Sequence, residues 1–184
     1  YGNELLIQAI AHPDHTILVY GPHYATGNHL AVLDASGRML AFFDFSAYRL
    51  APDNLQSDLQ FVDQGVQWAE VKDGILFVSH GHRTYARSSK GMNAYITALD
   101  LATAELRWRS EPLVAGAANF VLDAGFILTG YGFTAEPDHL FVLERRTGKT
   151  LSKTRIDSAP EYLFVQDRRL LLRTYDTDYE FELR

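Results

Sequence analysis

Short apolar runs recur along this chain at intervals of roughly 50 residues. One set comprises residues 16–20 (TILVY), 75–79 (ILFVS), 126–129 (FILT) and 170–173 (LLLR), and each member follows a polar turn. A second set follows the first after variable polar loops and comprises residues 29–34 (HLAVLD), 95–100 (YITALD), 139–144 (HLFVLE) and 178–183 (DYEFEL). Self-similarity at a long period indicates an array of like structural units. This repetition constrains the fold more than any other feature of the sequence.

The runs are predicted to be strands rather than helices. They are four to six residues long, rich in β-branched and aromatic residues, and bounded by Gly, Pro, Asp and Asn. Residues 105–109 (ELRWR) alternate, which places Leu106 and Trp108 on one face of a half-exposed strand. Residues 149–156 (KTLSKTRI) are similarly basic, as is typical of an outermost strand that resists edge pairing. The chain is therefore predicted to be all-β.

Four strands per unit at this period are typical of the blades of a β-propeller. We predict one domain over residues 1–184, a propeller-like array of about four antiparallel four-stranded blades at residues 4–58, 59–110, 111–158 and 159–184. The last blade is incomplete because the sequence reaches only its third strand. The array either closes as a four-bladed ring with an irregular seam or forms an arc of a larger propeller. An open arc would expose two apolar flanks, so we favour a fragment or a chain completed by another chain.

One unit carries a motif that resembles a known family. Ala98, Asp100, Thr103 and Trp108 stand in the order AxDxxTGxxxW, with Ala104 in place of the glycine. This is similar to a blade of the quinoprotein (PQQ-dependent dehydrogenase-like) propellers of the WD40-like superfamily. In the next unit Thr147 and Gly148 match the motif, whereas Glu144 and Ser152 depart from it. The resemblance implies a propeller fold with Trp108 stacked between blades.

Charge and composition exclude several classes of function. The chain has 17 Lys and Arg against 23 Asp and Glu, a net charge of −6, so nucleic acid is not an expected partner. The absence of cysteine excludes disulfides, thiolate metal sites and cysteine nucleophiles. No apolar run approaches the roughly 18 residues that span a bilayer, and the start YGNELLIQAI lacks the basic head of a signal peptide. We expect no membrane segment.

The loops between the second and third strands carry the candidate ligand-binding residues. These loops share one rim of a propeller, where long polar and aromatic loops on a rigid scaffold make a binding surface or simply a solvated rim. The second loop, GHRTYARSSKG, has basic residues between glycines and suits an anionic ligand or an acidic partner surface. The third loop adds Asp138 and the fourth Tyr175. The candidate residues are His23, Tyr24, His80, His82, Arg83, Tyr85, Arg87, Lys90 and Tyr131.

Metal binding and catalysis find little support in the sequence. His80 and His82 could present two imidazoles beside His23, but no HExxH motif or carboxylate triad accompanies them, so we assign no metal site. Ser88 and Ser89 lack a GxSxG context. Acids that recur at one position of the repeat, such as Asp100, are expected to hold the turns of their own blades. We therefore assign no catalytic residue and no cofactor.

The sequence leaves two classes of function open. We favour a non-enzymatic propeller scaffold or binding module that engages a protein or other ligand through its loop rim. The alternative is an arc of a propeller enzyme, either a quinoprotein dehydrogenase-like oxidoreductase or a carbohydrate-active propeller. The expected partners are another protein or the missing part of the same propeller, and a homo-oligomer would also cover the exposed flanks.

Overall fold

The computed structural model describes residues 2–24, 26–48, 65–82 and 85–183. The first sheet contains β1 (Leu5–Ala11), β2 (His15–Gly21), β3 (His29–Asp34) and β4 (Met39–Asp44). The second contains β5 (Gly65–Lys72), β6 (Ile75–Gly81), β7 (Tyr95–Asp100) and β8 (Leu106–Arg109). The third contains β9 (Val121–Asp123), β10 (Phe126–Phe133), β11 (Glu136–Glu144) and β12 (Thr150–Arg155). The fourth contains β13 (Pro160–Gln166), β14 (Arg169–Thr174) and β15 (Asp178–Glu182).

The four small sheets are arranged as the four blades of a β-propeller. Neighbouring strands within each sheet pair antiparallel in chain order, so every sheet is a simple meander. The all-β prediction and the array of four blades are confirmed. In the part of the chain that the structure describes, the last sheet has three strands, as the sequence indicated. Among the described residues, two short 3-10 helices, Phe45–Tyr48 and Ala86–Ser89, lie outside the sheets.

Recurring acidic residues hold the turns after the third strands, as predicted. One carboxylate oxygen of Asp34 accepts hydrogen bonds from the backbone N–H groups of Ser36 and Arg38, at 2.9 and 3.0 Å. Asp100 accepts from the N–H groups of Ala102 and Thr103, at 3.0 and 2.9 Å. These bonds satisfy backbone donors that the turns would otherwise leave to water. The acids therefore belong to the turns of the repeat.

The described residues form three hydrophobic clusters, one at each contact between consecutive sheets. Ile17 and Leu30 pack against Leu76 and Val78 between the first and second sheets. The second cluster joins the second and third sheets around Phe77, Ile96, Ala98, Ile127 and Leu143. The third joins the third and fourth sheets around Leu128, Leu140, Leu163, Leu170 and Leu172. Among the described residues, no such cluster joins the fourth sheet to the first.

Trp108 packs between the second and third sheets, as the resemblance implied. Its ring lies 5.9 Å from that of Phe77, and a Cβ atom built on Gly148 would lie 2.3 Å from its Cε3 atom. The predicted alternation of β8 is wrong at Leu106. A register shift places Leu106 opposite Leu99 but Trp108 opposite Ala98, and these two β7 residues point to opposite faces. Leu106 is 51% exposed, whereas Trp108 is only partly exposed.

Candidate functional site on the loop rim

The loops that join the second strand of each sheet to the third leave the sheets at the same end. We call this end the loop rim; its described residues are 22–24, 26–28, 82, 85–94, 134–135 and 175–177. Hydrogen bonds tie it to neighbouring sheets. The N–H of Val66 donates to the carbonyl of Gly27 at 2.8 Å, and the N–H of Ala86 donates to Oε1 of Glu136 at 2.7 Å. The strands and these bonds hold the loops in place.

Exposed aromatic side chains stand on the loop rim of three different sheets. Tyr24, Tyr85 and Tyr175 are 68%, 42% and 84% exposed. The ring of Tyr24 lies 4.3 Å from that of His23, which is also exposed. Tyr85 meets Phe133 of the third sheet edge to face, at 4.9 Å. These rings present apolar area and polar tips to solvent.

Basic residues of the second loop are exposed beside these tyrosines. Arg87 lies in the 3-10 helix Ala86–Ser89, and Lys90 follows it in the left-handed conformation with φ 52°. The N–H of Gly91 donates to the carbonyl of Ala86 at 2.7 Å, which closes the turn. Arg83, the remaining cation predicted here, lies outside the described residues.

Two histidines predicted for the rim are buried. His80 is 0% exposed; its Nε2 atom lies 2.8 Å from Oγ1 of Thr97 and its ring packs on Tyr95 and Phe45. His82 is 5% exposed, and its backbone N–H donates to Oδ1 of Asn93 at 2.8 Å. Both rings therefore lie inside the protein rather than on the surface of the rim.

Tyr131 is also buried, at 6% exposure, and it connects two sheets. Its hydroxyl donates to Oε2 of Glu136, whose other carboxylate oxygen accepts from the N–H of Ala86. Burial raises the pKa of Tyr131, and the adjacent Glu136 carboxylate raises it further. Glu136 thereby positions the second loop against the third sheet, and Tyr131 is a structural residue of the rim.

A groove of about 510 Å³ opens on the rim between the third and fourth sheets. Its lining residues include Phe133, Asp138, Asp157, Ser158 and Tyr175. Burial raises the pKa of Asp138. The groove needs a glycine at position 132, because a Cβ there would lie 2.0 Å from Oδ1 of Asp138. The rim is thus basic at the second sheet and acidic between the third and fourth.

Sequence reasoning named Asp138 and Tyr175 in these loops but missed the groove. Asp157 and Ser158 belong to the connection between β12 and β13, which lies at the same end of the sheets. Ser158 donates to Oγ1 of Thr174 at 2.7 Å, which brings that connection against the fourth sheet. The polar run IDSAP at residues 156–160 was the available signal, since it follows a fourth strand and precedes a first strand.

Two other kinds of feature are absent from the described ranges. No group of three His, Asp or Glu side chains there is placed to hold a metal ion. No helix among those residues is both long enough and apolar enough to cross a membrane.

Comparisons with known proteins identify the class of fold. The computationally designed Ika4 protein matches 100% of this chain over 94% of its own length, with a TM-score of 0.60 and 12% identity. The quinohemoprotein alcohol dehydrogenase ADHIIG from Pseudomonas putida HK5 matches 89% of the chain, with a TM-score of 0.55 and 13% identity. Hsv2 from Kluyveromyces lactis matches 96% of the chain, with a TM-score of 0.57 and 9% identity. The chain is a β-propeller.

These similarities show the fold alone. The chain spans 27% of the dehydrogenase and 48% of Hsv2, and the identities are too low to carry an activity across. No family model and no curated protein matches the sequence. The resemblance to the quinoprotein propellers therefore stays a prediction from the motif around Trp108, and the comparisons show only the propeller fold.

Proposed function

We propose that this chain is a non-enzymatic propeller module that binds a protein partner through its loop rim. The observation that carries the proposal is the set of exposed tyrosines, Tyr24, Tyr85 and Tyr175, contributed by three sheets at one end of the array. Tyrosine supplies a large contact area for little lost side-chain entropy, and it is enriched among the residues that dominate binding energies. The propeller fold supports a scaffold or binding role.

The charge pattern of the rim supports a partner with both signs of charge. Arg87 and Lys90 are exposed on the second loop, whereas Asp138, Asp157 and Glu161 line the groove between the third and fourth sheets. Complementary charges guide the approach of a partner and fix its orientation more than they add affinity. A partner with an acidic patch beside a basic one fits this surface.

The test compares two triple variants in affinity capture with quantitative mass spectrometry. One variant replaces Tyr24, Tyr85 and Tyr175 with serine. The matched control replaces three exposed apolar residues of the outer strands with serine. They are Met39, Leu106 and Leu151, whose side chains are 51%, 51% and 52% exposed. We expect the rim variant to capture at least roughly tenfold less partner than the control, because truncating a central interface aromatic weakens the binding free energy by at least about 2 kcal/mol. Equal capture by the rim variant and the control would refute the proposal.

The enzyme alternative has a separate test. Calorimetry with pyrroloquinoline quinone and calcium, and with oligosaccharides, measures the ligands that a dehydrogenase-like or carbohydrate-active propeller would bind. Under the scaffold proposal we expect no heat of stoichiometric binding. Tight one-to-one binding of the quinone with calcium would refute the scaffold proposal and favour the oxidoreductase alternative.

A further inference from the structure

A groove of about 410 Å³ opens between the second and third sheets, at the end of the sheets opposite the loop rim. Both of these sheets have the four strands of the repeat. One wall is formed by β6, β8 and the turn between β5 and β6. The other wall is formed by the turns that join β9 to β10 and β11 to β12. The groove therefore lies at a contact between two neighbouring blades.

Basic residues line both walls of this groove, although the chain has a net charge of −6. Among the described residues that line it, four are basic and one, Asp73, is acidic. The second sheet contributes Lys72 and Arg107, and the third contributes Arg145 and Arg146. A cleft lined mainly by one sign of charge concentrates ligands of the opposite sign. The groove should therefore attract an anionic ligand.

The groove also has an apolar lining. Phe77 is buried, while Ile75 and Trp108 are partly exposed. The ring centres of Phe77 and Trp108 lie 5.9 Å apart. Binding sites typically combine apolar walls with a small number of polar groups that orient the ligand. A ligand of this groove should therefore carry an apolar group beside its anionic groups.

The arginines of the groove already bind carboxylates of this chain. Nη2 of Arg145 donates to Oδ2 of Asp73 at 2.9 Å, which joins the third sheet to the second. Nη2 of Arg107 donates to Oδ2 of Asp100 at 2.6 Å. Each of these bonds uses one terminal nitrogen, whereas a guanidinium has five N–H donors. Both arginines are thus placed to bind further carboxylates, and an acidic peptide supplies carboxylates beside apolar side chains.

We propose that this groove binds an acidic segment of a partner polypeptide, with an apolar side chain of the segment against Trp108 and its carboxylates on the surrounding cations. Lys72 and Arg146 are expected to contribute most, because neither forms an ion pair among the described residues. Hydrogen bonds between ionised groups are stronger than those between neutral ones. The groove lies at the opposite end of the sheets from the loop rim, so the inference does not rest on the rim proposal.

The first test uses the peptide GEELEEG, labelled with a neutral fluorophore, as the probe. Two control peptides separate the contributions of charge and of the apolar side chain: GQQLQQG has no carboxylate side chains, and GEESEEG has serine in place of leucine. We expect saturable binding of the probe in fluorescence anisotropy, weakened by salt. The uncharged peptide should bind at least roughly tenfold more weakly and the serine peptide roughly fivefold more weakly. Equal affinity for the probe and either control, or no saturable binding of the probe, would overturn the inference.

Two double variants of the protein test the place of binding. Lys72→Gln with Arg146→Gln removes two exposed cations of the groove and should weaken binding of the probe by roughly tenfold. Arg38→Gln with Arg168→Gln is the matched control, because it removes the same charge from exposed residues that do not line the groove. The control should bind the probe within about twofold of the unaltered protein. Equal weakening by the two variants would mean that the peptide is attracted by charge without binding in the groove.

A nuclear magnetic resonance titration of the unaltered protein keeps the test valid if a variant fails to fold. The ring resonances of Trp108 should shift as the probe is added, because Trp108 lines the groove. Those of Trp68, which does not line it and whose Nε1 atom is buried, should stay in place. Shifts at Trp68 but not at Trp108 would contradict the assignment. Tighter binding of ATP than of the probe would assign the groove to a small anion and would also overturn the proposal.

Discussion

The second and fourth sheets have the same meander but different surroundings. The second sheet is apolar on both faces: Leu76 and Val78 contact the first sheet, while Phe77 and Ile96 contact the third. In the described part of the chain the fourth sheet has one such face, and we call the other its open face because no hydrophobic cluster of the described residues covers it. The open face carries Tyr162, Phe164 and Leu171 around a groove of about 660 Å³, beside the ion pairs Arg169–Glu180 and Arg173–Asp178.

The difference is visible in the residue pattern of the strands. A sheet covered on both faces reads as a continuous apolar run, whereas a sheet with one open face alternates apolar and polar residues. β7 (YITALD) is buried along nearly its whole length, and β15 (DYEFE) alternates between exposed and partly buried residues. Substitutions in the two sheets should therefore differ in how far they lower the free energy of unfolding, and in how that change depends on pH. They should also differ in how well added side-chain volume is tolerated.

The largest expected contrast is between Leu99→Ala in the second sheet and Leu171→Ala in the fourth. Leu99 is 0% exposed and Leu171 is 37% exposed. Truncation of Leu99 leaves a cavity and should lower the free energy of unfolding by about 2 to 5 kcal/mol. Truncation of Leu171 should cost about 1 kcal/mol or less. Urea denaturation checks this, and equal costs would mean that the open face of the fourth sheet is covered in solution.

The stability contributed by Glu70, on β5 of the second sheet, should depend on pH. Burial raises its pKa to about 7, so the ionised carboxylate is disfavoured in the folded state and stability falls as pH rises from about 4.5 to 7. Glu70→Gln should therefore exceed the unaltered protein in stability at pH 8, by on the order of 2 to 3 kcal/mol, and match it near pH 4. Thermal unfolding of the two proteins at both pH values measures the difference, and a constant difference would contradict the buried-carboxylate explanation.

The contact between the second and third sheets should resist added volume. Gly148 has φ 72°, and a Cβ there would lie 2.3 Å from Cε3 of Trp108. Gly148→Ala should therefore lower the free energy of unfolding by about 2 to 3 kcal/mol. Gly37→Ala is the matched control, because Gly37 has φ 82° but no atom within 4 Å of its Cβ position. The control should show only the cost of the left-handed conformation, about 1 to 2 kcal/mol. Equal losses would indicate that Trp108 moves aside freely.

The smallest expected effect is at Asp178 in the fourth sheet. Arg173 lowers its pKa, so the stabilisation is present above the ordinary carboxyl range and is lost as pH falls through the lowered pKa. Asp178→Asn should slightly lower the melting temperature at pH 7 and have no effect near pH 2, opposite in sign to Glu70→Gln. Because the pair is exposed, the change should be far smaller than at Glu70. A loss at pH 7 as large as the gain at Glu70 would show that this face is not solvated.

Local patterns predicted most of the fold but little of the rim's geometry. The roles of the turn acids Asp34 and Asp100 followed from the repeat, and the packing of Trp108 followed from the resemblance of its motif to the quinoprotein propellers. The burial of His80 did not, because a histidine at the end of a strand looks the same in sequence whether its ring meets solvent or Phe45. The bulge at Leu106 was also hidden, since alternation assumes an unbroken register.

The sequence by itself determined that this chain forms a repeated array of short antiparallel strands, because strand length, alternation and turn residues are local properties. The tertiary structure decided which faces of those strands are covered. His80, His82 and Tyr131 became interior groups, while Tyr24, Tyr85 and Tyr175 remained on the surface. Burial depends on which sheet lies beside each face, and that contact joins residues far apart in the chain.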